Sequence, residues 1–134
     1  MARTILEVEQ YRPELVEWLS ETARHGWETH LFTVRRAQWA EATLDSIRAK
    51  TGWQPDNAWF NDTQMPGKEA ARVKEALFDR VLVECEPAGL FGLESNDAVQ
   101  RMYRRRHVAC QRGTDPLPSI AELAELGRWP PSTA

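Results

Sequence analysis

The run Arg101-Met-Tyr-Arg-Arg-Arg-His107 is the densest group of chemistry-bearing side chains in the sequence. On a helix turning about 100° per residue, Arg101, Arg104, Arg105 and Arg112 share one arc of about 100°. Clustered guanidinium groups of this kind grip phosphates through paired hydrogen bonds, or meet an acidic protein surface. The same stripe also suits a solvated helix end, where cations favour the negative pole of the helix dipole. Arg106 falls instead on the apolar arc, between Met102 and Cys110. A buried arginine needs a counter-ion. Glu84 is the expected one, and anion binding in a cleft is the functional alternative.

His107 and Cys110 are spaced to converge on one metal ion, with Cys85 as a third ligand. Structural zinc sites ordinarily combine two close ligand pairs, and only one occurs here. No metal site and no cofactor are therefore expected. A cysteine nucleophile beside His107 would lack an oxyanion hole, because the glycine-containing turns all read as helix stops. No phosphate-binding glycine loop, nucleophile elbow, zinc-protease helix or calcium loop occurs. The expectation is a protein that is not an enzyme.

Trp59 and Phe60 belong to no periodic face. They sit in a stretch, 53–66, otherwise rich in Pro, Asn and Asp, which reads as loop. Such aromatics anchor protein interfaces, including self-interfaces. They also stack on bases, with the arginine stripe, Arg35 and Arg36 as a backbone track. The plain alternative is that the loop folds over the core and buries them.

Charge distribution points the same way. The formal net charge is −3, yet residues 84–97 carry four acids and no base, while residues 98–113 carry five arginines and no acid. Segregated charge favours steered association. Overall acidity ranks a protein partner ahead of nucleic acid, whose dedicated binders are usually basic. No apolar run is long enough to span a membrane. The start, Met-Ala-Arg-Thr-Ile-Leu-Glu, lacks the apolar core of a signal peptide. With two cysteines and no disulfide framework, a cytoplasmic setting is expected.

The elements that must position these residues read as helices. Pro13 and the acids Glu14 and Glu17 open a helix over 12–25, closed by Gly26-Trp27. A second helix is clear over 36–51, with Gly52-Trp53 repeating that ending. It extends back toward Glu28 unless 27–34 is a strand. A third, central helix follows Pro66-Gly67, its stripe running through Ala70, Val73, Leu77, Phe78, Val81, Leu82 and Cys85. The run 88–93 reads as an apolar turn plugging the core. A fourth helix opens at Ser95 or Asn96 and runs to Gly113. A fifth begins with the capping box Ser119-x-x-Glu122.

The expected fold is therefore all-α: a single-domain bundle of four to five helices over 1–134. A minor strand pair at 28–34 and 80–85 is the one β alternative, and frayed ends are expected at 1–4 and 130–134. The expected function is that of a small non-catalytic cytoplasmic protein–protein interaction module, an inhibitor, adaptor or accessory subunit that covers a partner surface. Its partner-binding residues would be Arg101, Arg104, Arg105, Arg112, Trp59 and Phe60, with Arg106 as an anion-binding candidate. The alternative is a nucleic-acid-binding regulatory module, and homo-oligomerisation is the third option.

Overall fold

A computed structural model describes residues 2–7 and 11–130. The main-chain order alternates strand and helix. It runs β1 (Arg3–Glu7), α1 (Pro13–Arg24), β2 (Trp27–Arg36), a single 3-10 turn (Ala37–Trp39), α2 (Ala40–Thr51) and β3 (Asn57–Asn61). It continues with α3 (Ala70–Cys85), β4 (Gly89–Leu93), α4 (Asp97–Arg105), β5 (Ala109–Gln111) and α5 (Ile120–Leu126). The five strands form one sheet in the order β3-β2-β1-β4-β5, with every neighbouring pair parallel.

This overturns the all-α bundle. Parallel strands buried on both faces lack the polar–apolar alternation that marks a half-exposed strand, and they read as short apolar runs. Gly89–Leu93, expected to be a plugging turn, is β4, and each of its residues is buried. Residues 3 and 4, expected to fray, belong to β1, which is paired to β2 on one side and β4 on the other. The loop expected over 53–66 contains β3. Residues 27–34 are strand, as the alternative allowed, within a longer β2. Residues 80–85 stay helical to the end of α3, so the suggested strand pair does not form. Of the ends expected to fray, Met1 and residues 131–134 lie outside the described residues.

Alternate strand positions feed two cores. Leu6, Phe32 and Leu90 pack with Val73, Leu77, Phe78 and Val81 of α3 and with Val99, Met102 and Tyr103 of α4. Ile5, Phe91 and Leu93 pack on the other face with Leu15 and Leu19 of α1 and Leu123 of α5. The neighbours Ile5 and Leu6 thus serve opposite faces, as the two-residue strand period requires.

Helix boundaries follow local chemistry. Pro13 stands at the start of α1, and Gly26, at φ +87°, turns the chain back into β2. Asn96 caps α4 by accepting from the Val99 amide at 3.1 Å. Ser119 and Glu122 form the expected capping box on α5. The fourth helix is shorter than its periodicity implied. It stops at Arg105, His107 takes a left-handed φ of +63°, and the chain returns to the sheet as β5.

α2 is the exception. Only Ile47 is buried along it, and Trp39, just before it, is 55% exposed.

Candidate functional site

The strand order itself selects one place. From β1 the chain moves outward to β2 and β3, then returns to the other side of β1 to lay down β4 and β5. In open parallel sheets, ligands bind outside the carboxyl ends of the strands, at the crevice where the winding direction reverses. Here that crevice lies between β1, which ends at Glu7, and β4, which ends at Leu93.

At the exit of β4, Glu94 makes the main polar contact of the interior. Its Oε2 accepts from Lys74 Nζ of α3 at 2.6 Å, and both residues are buried. Its Oε1 accepts from the Asn96 amide at 3.0 Å, and its carbonyl accepts from Gln100 Nε2 at 2.6 Å. Glu94 is thereby held by the loop into α4, and it in turn orients the lysine. An ammonium group has three donors. Among the described residues, one of the three is used. Buried ion pairs are weak contributors to net stability, because desolvation offsets much of their attraction.

Two further polar residues are buried at or near the carboxyl ends of their strands. Thr33 on β2 accepts from the Arg35 amide at 3.1 Å. Asn61, the last residue of β3, accepts from the Thr63 amide and hydroxyl at 3.0 and 2.6 Å and donates to the Met65 carbonyl at 3.0 Å. It shapes the loop that leads to α3. The edge therefore offers one buried cation, positioned by a carboxylate, and a cation of this kind is suited to holding anionic oxygens.

The residues singled out from sequence fare differently. Arg101, Arg104 and Arg105 do lie on α4 and are exposed, but Arg112 lies beyond β5, off the helix. Much of the stripe is internally paired. Arg104 donates to Gln100 Oε1, Arg105 to Glu75, and Arg112 to Asp97 and the Ser95 carbonyl. Arg106 does not meet Glu84. It donates to Glu75 at 2.8 Å and Asp79 at 2.7 Å, with its guanidinium 4.9 Å from the centre of the Phe78 ring. Glu75 and Asp79 lie on the α3 face toward α4, whereas Glu84 pairs with Arg80. Hydrogen bonds to these carboxylates hold the Arg106 guanidinium above its usual pKa.

Trp59 and Phe60 are half-buried in β3. The Trp59 ring stacks beside His30, its Nε1 donates to His30 Nδ1 at 3.0 Å, and Arg80 covers its face. Among the described residues no group of three metal-ligating side chains forms. Burial raises the pKa of both Cys85 and Cys110 thiols.

Lys74 and Glu94 were missed from sequence. A usable signal existed. Lys74 falls at the fourth position after Ala70, with Val73, Leu77 and Phe78 around it, on the apolar stripe of α3. A lysine there must reach a buried partner.

No family model and no curated protein matches the chain. A chain in a solved structure titled "Structure of the Pnkp1/Rnl/Hen1 RNA repair complex" is similar in fold, with a TM-score of 0.59 and 15% sequence identity over 82% of this chain. The match spans 41% of that chain, so this protein corresponds to well under half of its neighbour. The neighbour is part of a multi-protein complex. No described helix of this protein is long and apolar enough to cross a membrane.

Proposed function

We propose that this protein binds and processes a phosphate ester at the carboxyl edge of its sheet, with Lys74 holding the phosphate oxygens. The observation that carries this reading is the buried Lys74–Glu94 pair at the reversal of strand order. Glu94 fixes the ammonium group and leaves donors for a ligand. The carboxyl end of β1 at Glu7 borders the same edge. A preorganised cation in a site withdrawn from water stabilises charge developing on a phosphoryl group far better than one in bulk solvent. The similarity to a chain of an RNA repair complex supports a polynucleotide end as the phosphate's carrier.

The test is release of inorganic phosphate from a phosphorylated oligonucleotide, with and without magnesium, alongside calorimetric binding of inorganic phosphate. The variant is Lys74→Met combined with Glu94→Gln, which removes the cation without stranding a buried carboxylate. Binding and turnover lost together in this variant support the reading. Unchanged phosphate binding, or none in the parent protein, overturns it. Binding without turnover assigns a non-catalytic phosphate-recognition role.

The second reading is the non-catalytic module that covers a partner protein as an inhibitor, adaptor or accessory subunit. It is favoured by the large apolar side chains left in solvent, Trp39 at 55%, Val83 at 78% and Leu126 at 48% exposure. These, rather than Trp59 and Phe60, are the aromatic and aliphatic groups free to meet a partner. Chemical crosslinking in the native cell, compared between the parent and Trp39→Ala, tests it.

A further inference from the structure

A cavity of about 350 Å³ opens between β2 and α2, the helix that packs least closely on the sheet. Its size is in the range of small-molecule sites, roughly 300–1,000 Å³. Its floor is apolar, made by Leu31 and Ile47, with the Tyr11 ring alongside. That ring is braced by Trp53, their centroids 5.6 Å apart. Hydroxyls from Thr33, Thr43 and Ser46 line the wall.

Charge in the cavity has one sign. Arg35 and Lys50 both line it, and among the described residues no carboxylate does. Among the described residues neither cation is in an ion pair. The Arg35 guanidinium reaches only the Thr43 hydroxyl, at 3.4 Å. This contrasts with the basic run, where the guanidinium groups of Arg105, Arg106 and Arg112 meet carboxylates of the same protein. An acidic protein that leaves two cations unpaired over an apolar, aromatic-sided hollow presents the chemistry of a ligand with an anionic end and a flat, weakly polar body. Thr33 faces this cavity, on the side of the sheet opposite α3, while its neighbour Phe32 packs against α3.

We propose that the β2–α2 cavity is a nucleoside-phosphate subsite, with Arg35 and Lys50 on the nucleotide's own phosphate, distinct from the one Lys74 holds, and the base lying over Leu31 and Ile47 beside Tyr11. The inference extends the phosphate-ester reading to the rest of the ligand, and it rests on that reading for the identity of the ligand. Base–aromatic contact and paired guanidinium–phosphate bonds supply the affinity.

The experiment compares adenosine monophosphate, adenosine and inorganic phosphate by calorimetry and tryptophan fluorescence. The proteins are the parent, Arg35→Ala/Lys50→Ala, Ile47→Trp, and Lys74→Met/Glu94→Gln. Arg35 and Lys50 are exposed, so their replacement leaves the fold intact. The nucleotide should bind about tenfold tighter than either fragment. The Arg35/Lys50 variant should lose about tenfold for the nucleotide and stay within about twofold for inorganic phosphate. Ile47→Trp, which fills the hollow, should abolish the nucleotide preference.

Equal affinity for nucleotide and phosphate in the parent, or no response to loss of Arg35 and Lys50, overturns the subsite. If the Lys74/Glu94 variant keeps phosphate binding while the Arg35/Lys50 variant loses the nucleotide, the Lys74 reading falls and the subsite survives.

Discussion

Trp59 donates its indole N–H to Nδ1 of His30 at 3.0 Å, and that bond requires the imidazole nitrogen to be unprotonated. His30 is fully buried in β2. Burial lowers its pKa below 6.5, opposed by the Glu28 hydrogen bond and by the charges of Glu28 and Asp56. The unfolded chain therefore takes up the proton first. Stability should be complete above pH 6.5 and should fall as the pH drops from there toward the lowered value. Urea unfolding at pH 7.5 and 5.5 measures this. His30→Gln should flatten the difference, and an equal pH dependence in that variant would discard the assignment.

Lys74 and Glu94 should prove unequal to their replacements. Lys74→Met alone strands a buried carboxylate and should cost about 3–5 kcal/mol. Adding Glu94→Gln should recover a large part of it, because a neutral amide keeps hydrogen bonds without demanding a counter-charge. A thermodynamic cycle of the two single variants and the double one checks the coupling. Strictly additive losses would mean that the two groups do not act as a pair.

Gly127 should tolerate no side chain. A Cβ there would lie 2.6 Å from Cη2 of the Trp27 ring and 3.0 Å from the Leu123 carbonyl. Gly127→Ala should destabilise by about 1–3 kcal/mol through overpacking. Gly52→Ala provides the contrast. Nothing lies within 4 Å of its Cβ, but φ is +71°, so the penalty is conformational and about 1 kcal/mol. Thermal melts by circular dichroism rank the two.

Arginines of the basic run should separate into two kinds. Arg106→Met removes contacts to Glu75, Asp79 and the face of Phe78, and should lower stability measurably. Arg101→Ala, on an exposed position, should stay within about 0.5 kcal/mol. Denaturant midpoints for both variants, at low and high salt, decide it. If the run were a nucleic-acid track, replacing Arg101, Arg104 and Arg105 would flatten the salt dependence of oligonucleotide binding. The internal pairing of Arg104 and Arg105 predicts little change.

The parts of this protein legible from sequence are those governed by neighbours within a turn or two. Pro13 and Gly26 bound α1, the stripe from Val73 to Val81 makes α3 a buried helix, and Ser119 with Glu122 starts α5. Each rests on i to i+3 or i+4 relations that any reading of the chain can find.

The sheet rests on none of these. Arg3 pairs with Trp27 and with Gly89, and nothing in Arg-Thr-Ile-Leu-Glu or Gly-Leu-Phe-Gly-Leu names its partner. A buried parallel strand needs only to be short and apolar, which a turn or a plug also satisfies. The candidate site inherits that ambiguity. Arg101 to Arg106 stand out because they are adjacent in sequence, yet the fold spends two of them, Arg105 and Arg106, on pairing with α3. Lys74 and Glu94 are ordinary residues in separate segments, and only the packing of α3 against the carboxyl end of β4 turns them into a buried pair at the reversal of the sheet. The sequence alone therefore determined the limits of α1, the buried stripe of α3 and the start of α5. Tertiary structure decided the fold class and the place where chemistry is concentrated, because both depend on contacts between residues far apart along the chain.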